Sequence, residues 1–155
     1  MLIKDAMTVS PICCRPGDTL DSVAGMMLDH DCGFIPVCDS SKLAGVITDR
    51  DITCRAVAAG KNPSSTPIRE VMTQPVYTIR QDEDVQAAIE LMEARQIRRL
   101  PVVDDQGRVV GIIAPSDLAP TFASTNVADF LLAVSYWNRK GAVSHAHAQV
   151  ARSLA

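Results

Sequence analysis

The sequence predicts a mixed α/β fold of the α+β kind: two β-α-β-β-α repeats packed sheet to sheet about a pseudo-twofold axis, followed by a helical tail. Three observations carry this expectation: an internal repeat, a helical period within each copy, and two short apolar runs around a polar turn in each copy. Ala6-Met7-Thr8 recurs as Val71-Met72-Thr73, an offset of 65 (72 − 7). Phe34-Ile35-Pro36-Val37 recurs as Arg99-Leu100-Pro101-Val102, again at 65 (101 − 36). Leu43-Ala44-Gly45-Val46-Ile47 recurs as Val109-Val110-Gly111-Ile112-Ile113, now at 66 (111 − 45). The extra residue falls where Asp39-Ser40-Ser41-Lys42 becomes Asp104-Asp105-Gln106-Gly107-Arg108, a turn, which is where insertions are tolerated.

The elements follow in order. Leu20, Val23 and Met27 trace one face of a helix, with Asp18 or Thr19 placed to cap it. In the second copy Val85, Ala88, Ile89 and Met92 fall at i, i+3, i+4 and i+7. The paired apolar runs around an Asp-rich turn predict a hairpin in each copy. A second helix is expected from Asp49 to Ala59, ending at Gly60, and Thr66-Pro67 offers an N-cap and first-turn pair for a short turn before Met72. The expected organisation is repeat 1 at 1–60, a linker at 61–70, repeat 2 at 71–120 and a C-terminal helical extension at 121–155. A repeat of ~60 residues has too little core to stand alone, so two copies are expected to share one and to open clefts at their junction. In the extension, Asn126 caps a stripe of Val127, Phe130, Leu131 and Val134, with Trp137 continuing it. Val143, His147, Val150, Ala151 and Leu154 draw a second apolar face. The tail therefore reads as an added helical layer or as a surface for an effector protein.

Composition bounds the function. The chain is 155 residues long, 47% hydrophobic and 21% charged, so it can build a core; with only 4% aromatics, that core is aliphatic. The net charge of −3 argues against a broadly basic nucleic-acid binder. No apolar run approaches the roughly 18 residues of a membrane span, and residues 1–14 lack the pattern of a signal peptide, so a cytoplasmic protein without nucleic-acid or membrane partners is expected. The five cysteines, Cys13, Cys14, Cys32, Cys38 and Cys54, show no CxxC spacing and read as buried, reduced thiols acting as small apolar residues rather than as a metal site. His145 and His147 at i, i+2 point to different helix faces, against a shared metal. No Ser/His/Asp or Cys/His arrangement suggests an enzyme, and no catalytic residue, metal or cofactor is assigned.

The sequence Met-Thr, then Ile-Pro-Val, then Gly45-Val46-Ile47-Thr48-Asp49-Arg50-Asp51 resembles the cystathionine β-synthase (CBS) domain family in its tandem form, the Bateman module, over residues 3 to about 120. The resemblance implies a regulatory module that binds adenine nucleotides (AMP, ADP or ATP) or related adenosyl ligands in clefts between paired repeats. It further implies that Thr48 and Asp51 contact phosphate and ribose. The chemistry suits these residues: a hydroxyl beside free N–H groups at a helix start suits a phosphate, and a carboxylate one turn on accepts ribose hydroxyls. The same spacing also makes a plain capping box. The second copy carries Ala114 in place of the hydroxyl and keeps Asp117, so its cleft is expected to be the weaker. By the same resemblance Arg98 or Arg99, preceding Leu100-Pro101-Val102, reaches phosphate held by Thr48 and Asp51; the alternative is two solvated arginines at a helix end. Adenine is expected near Ile12, Cys13, Ile35 and Pro36 in the first cleft, or near Val76, Thr78 and Pro101 in the other. A homodimer is expected through faces that include Leu20, Met26, Met27, Ile89 and Met92. The alternatives are a scaffold with degenerate clefts or a sensor of S-adenosylmethionine or another adenosyl ligand; nearby arginines would repel a sulfonium.

Overall fold

A computed structural model of the chain describes residues 1–40, 42–121 and 126–135. Its elements are α1 (Ile3–Ala6), β1 (Thr8–Val9), α2 (Leu20–Asp29), β2 (Phe34–Asp39), β3 (Lys42–Thr48), α3 (Asp49–Asp51), β4 (Ile79–Arg80), α4 (Val85–Arg95), β5 (Leu100–Val103), β6 (Val109–Ile113), α5 (Pro115–Leu118) and α6 (Asn126–Ser135). The helix expected over 49–59 is divided: α3 runs straight into a wide π-type turn, Ile52–Val57, in which Ala58 N–H donates to Thr53 O at 3.1 Å. Gly60 closes it at φ +67°, the left-handed region that glycine enters without steric cost. Pro67 sits one residue earlier than expected, at the cap of a 3₁₀ turn Ile68–Glu70, while Thr66 is buried and its carbonyl accepts from Leu20 N–H.

The strand order shows how the repeats join. β2 and β3 form an antiparallel hairpin; β5 and β6 form its counterpart inside a four-stranded sheet ordered β1-β6-β5-β4. β1, from the first repeat, pairs with β6 of the second, Thr8 opposite Ile112. Its mate is the Val46–Thr73 bridge, in which the second repeat's Thr73 pairs with the first repeat's β3. Each copy then returns to its own sheet by a parallel contact, Cys14 opposite Val37 and Ile79 opposite Val102. The Lys42–Arg108 bridge joins equivalent positions of the two hairpins, as expected for a contact near a twofold axis.

Glycine permits this exchange. A Cβ on Gly45 would stand 2.8 Å from Met72 Sδ and 3.1 Å from Thr73 O; one on Gly111 would stand 3.0 Å from Thr8 O and collide with Met7 Sδ. The repeated Met-Thr and the repeated glycine are thus the two sides of one contact, made twice.

The interior divides into two clusters rather than one shared core. Leu20, Val23, Ile35, Val37 and Ile47 pack with Ile68 and Val71, which enter from the second repeat's N-terminal segment. Val85, Met92, Leu100, Val102 and Ile113 pack with Ile3, which enters from the first. The repeats are held together because each completes the other's core. Leu20, Met27, Ile89 and Met92, expected on a dimer surface, are spent inside these clusters, since the apolar helix face has its own sheet to cover. In α6, Phe130 and Val134 are buried in the second cluster, whereas Leu131 of the expected stripe is 43% exposed. Phe122, Tyr136, Trp137 and the second apolar face from Val143 to Leu154, with His145 and His147, lie outside the described residues. No helix among the described residues is long and apolar enough to cross a membrane.

Candidate functional site: a cleft between the repeats

Strand β3 ends at Thr48, whose extended backbone (φ −122°, ψ 159°) stops the ladder and starts α3. The capping box is closed. Asp51 N–H donates to Thr48 Oγ1 at 3.1 Å, and Asp51 Oδ2 accepts from Thr48 N–H at 3.0 Å and from Thr48 Oγ1 at 2.7 Å. The capping job is therefore performed, and it leaves the hydroxyl and the carboxylate at one rim of a cavity of about 330 Å³. That volume is within the range of small-molecule sites.

The facing wall comes from the second repeat. Once Thr73 has paired with Val46, the chain leads Pro75, Val76 and Tyr77 along the cavity, and Ile97, Arg98 and Arg99, between α4 and β5, close it; Phe34 adds an apolar contribution. Asp51 is only 7% exposed. Its second oxygen, Oδ1, lies 3.4 Å from the Thr73 hydroxyl, which donates to it, and 3.3 Å from Arg55 Nη1. Arg98 and Arg99 are exposed and make no ion pair or hydrogen bond among the described residues, so two uncompensated guanidinium groups border the cavity. The Arg95 guanidinium lies 4.7 Å from the centre of the Tyr77 ring, covering one of its faces. The arrangement offers an anion two cations, a hydroxyl-bearing group a buried carboxylate, and a planar group an apolar and aromatic wall.

Thr48, Asp51, Arg98, Arg99 and Val76 thus line one cavity. Val76, expected in the other cleft with Thr78, reaches this cavity because the N-terminal segment of each repeat crosses to its partner's sheet, and it also lines the cavity of Thr78. Ile35 is fully buried in the first core and Pro36 is buried beside it; Pro101 is buried on β5. Thr78 lines a separate cavity of about 580 Å³ with Leu43, Pro75, Val76 and Val103. Ile12 packs against the first core, and Cys13 lines a cavity of about 620 Å³ with Cys14, Cys38 and Arg108. Asp117 Oδ2 accepts from Ala114 N–H at 2.8 Å, the capping bond that survives without a hydroxyl.

Phe34, Thr73, Tyr77 and Arg55 were not singled out in sequence. Thr73 belongs to the repeated Met-Thr, and Arg55 stands four residues beyond Asp51, one helical turn; neither signal pointed to a cleft without the strand exchange. Of the cysteines expected to be buried, Cys14 is buried and Cys32 and Cys38 are half-buried, but Cys13 and Cys54 are exposed. Burial pushes the Cys14 thiol up to about 12, helped by the nearby Asp18 charge, and burial followed by the neighbouring Cys13 does the same for Cys38, so both stay protonated at neutral pH. Among the described residues no group of three or more His, Cys, Asp or Glu side chains is placed to hold a metal.

Comparison with known proteins places this geometry. The chain is 40% identical over 117 residues to the CBS domain-containing protein YhcV of Bacillus subtilis, covering 76% of this chain and 82% of YhcV. It is 36% identical over 116 residues to the uncharacterized protein MK0525 of Methanopyrus kandleri, covering 74% of this chain but 57% of that protein's length. The solved CBS domain pair of protein MJ0100, in complex with 5′-methylthioadenosine and S-adenosyl-L-methionine, superposes with a TM-score of 0.70 at 34% identity, covering 79% of this chain and 95% of that one. The CBS domain model matches residues 3–56 and again 68–123, and the chain belongs to the CBS domain family as a tandem pair.

Proposed function

We propose that the chain is a non-catalytic, ligand-sensing regulatory module that binds an adenine nucleotide in the Thr48/Asp51 cleft. The observation that carries this reading is the opposition of a buried carboxylate and cap hydroxyl from one repeat to two unpaired arginines from the other across a cavity of about 330 Å³. Asp51 receives the ribose hydroxyls, Arg98 and Arg99 the phosphate, and the wall of Phe34, Val76 and Tyr77 the base. A ligand held this way touches both repeats and biases how they sit against each other and against α6, where an effector protein would read the change.

The ligands of the MJ0100 pair support the adenosyl class, and they keep S-adenosylmethionine as the second reading, with Asp49 and Asp51 to offset a sulfonium charge. The arginines favour phosphate. A thermal-shift panel of AMP, ADP, ATP, adenosine and S-adenosylmethionine separates the readings, because a ligand that binds only the folded chain raises its stability, by about 2.7 kcal/mol at a hundredfold excess over Kd. A rise with the nucleotides is expected. A rise with S-adenosylmethionine alone supports the second reading, and no rise with any of them supports a scaffold with degenerate clefts.

A further inference from the structure

We infer that Arg55 is a positioning residue for sugar recognition at Asp51, joining the two walls of the cleft; this rests on the nucleotide reading above. The Asp51 carboxylate already accepts three hydrogen bonds. Oδ2 accepts from the Thr48 N–H and hydroxyl, Oδ1 accepts from the Thr73 hydroxyl at 3.4 Å, and Arg55 Nη1 forms an ion pair with Oδ1 at 3.3 Å. A carboxylate offers about four acceptor positions and a ribose diol needs two, so a diol binding here takes the open position and the place of one donor. The Thr73 contact is the longest, near the limit of a hydrogen bond, and is the one that yields.

Arg55 does not depend on Asp51 for its own place. Its Nη1 donates to Val71 O at 2.9 Å, to Thr73 Oγ1 at 3.1 Å and, more weakly, to Met72 O at 3.4 Å. Those groups begin the segment that runs on into Pro75, Val76 and Tyr77, so Arg55 ties the carboxylate wall to the wall contributed by the second repeat. When a sugar hydroxyl replaces Thr73, the guanidinium stays, compensating a charge that is nearly shut off from water and holding the carboxylate plane toward the cavity. The second repeat has Asp117 but carries Thr121 where Arg55 would fall, so this device belongs to the first cleft alone.

The test is calorimetric titration of the full chain with AMP and with 2′,3′-dideoxy-AMP, for the unmodified protein, Arg55→Ala and Arg55→Lys. Arg55→Ala is expected to weaken AMP by about tenfold, the scale of a lost charge-assisted contact, while 2′,3′-dideoxy-AMP changes by less than about twofold, so that the preference for the intact ribose collapses. Arg55→Lys retains a charge and a donor and is expected to keep part of that preference; it is read in the same way if Arg55→Ala fails to fold. Equal weakening of both ligands, or of neither, overturns the role of Arg55 and leaves the nucleotide reading standing. Failure of both ligands to bind the unmodified chain overturns the nucleotide reading, and the role of Arg55 with it.

Discussion

Arg98 and Arg99 stand across the cavity from Asp51 with no acidic partner among the described residues, and this makes the nucleotide reading quantitative. A contact to an ionised group contributes roughly 1.5–3 kcal/mol, or about ten- to a hundredfold in affinity. AMP is therefore expected to bind that much more tightly than adenosine. Replacing both arginines with Gln should narrow the gap while leaving adenosine nearly unchanged. The salt dependence should flatten as well, because the contact that was removed is the one that salt screens. Titrations at two ionic strengths read both effects; equal binding of AMP and adenosine to the unmodified chain at low salt would remove phosphate from the account. At this scale Asp51 stood out because Asp117 occupies its place in the second copy, whereas Thr48 and the arginine pair, opposite Ala114 and Gly33-Phe34, came from the family resemblance. Arg55 and Tyr77 were not readable, since the bonds of Arg55 to Val71 O and the Thr73 hydroxyl, and the place of Tyr77 on the wall facing Thr48, depend on the crossing of the strands.

Among the elements, the crossing segments are the sensitive joints. Gly45→Ala would press a methyl group onto Met72 Sδ and the Thr73 carbonyl; the sulfur can move and the backbone cannot, so a loss of about 1–3 kcal/mol is expected by chemical denaturation. The same variant should weaken nucleotide binding, because Thr73 begins the cleft's far wall, whereas a loss of less than 0.5 kcal/mol, roughly the scale of a surface change, would show that the strands are not tightly docked. The β5–β6 turn gives a pH prediction. Asp104 accepts from the Arg108 and Gln106 backbone N–H groups and from the Arg108 side chain, and these bonds, the Arg108 N–H foremost, hold its carboxyl below the usual range. A folded pKa below the unfolded one stabilises the chain above the ordinary carboxylate value of about 3.9, and that stabilisation disappears as pH falls through the lowered folded value. Asp104→Asn should therefore lower the melting temperature at pH 7 and shrink the difference between pH 7 and pH 3; an unchanged acid profile would contradict this. The hairpins, α2 and α4 were legible from periodicity. The division of each first strand between two sheets was not, because period-2 patterning tells which face is buried and not which repeat supplies the neighbour.

For the molecule as a whole, the exchange of N-terminal segments makes the two repeats one unit. Apolar side chains remain on its outer helices and turns: Leu28 is 82% exposed, Val57 60% and Leu132 57%. With Leu20, Met27, Ile89 and Met92 consumed by the cores, these are the groups available for pairing two copies, and light scattering at micromolar concentration is expected to report about twice the chain mass of 16.7 kDa; a monomeric mass would contradict that pairing. The tandem architecture was legible as a whole from three repeated anchors, whereas the helix faces expected to pair two copies cover their own sheets, since an apolar helix stripe looks the same whether it faces its own sheet or another chain. The central claim is the inequality of the clefts. Calorimetric titration of AMP into the unmodified chain, Asp51→Ala and Asp117→Ala tests it most directly: Asp51→Ala should remove most of the binding and Asp117→Ala little of it, whereas binding that survives Asp51→Ala and vanishes in Asp117→Ala would place the site in the other cleft.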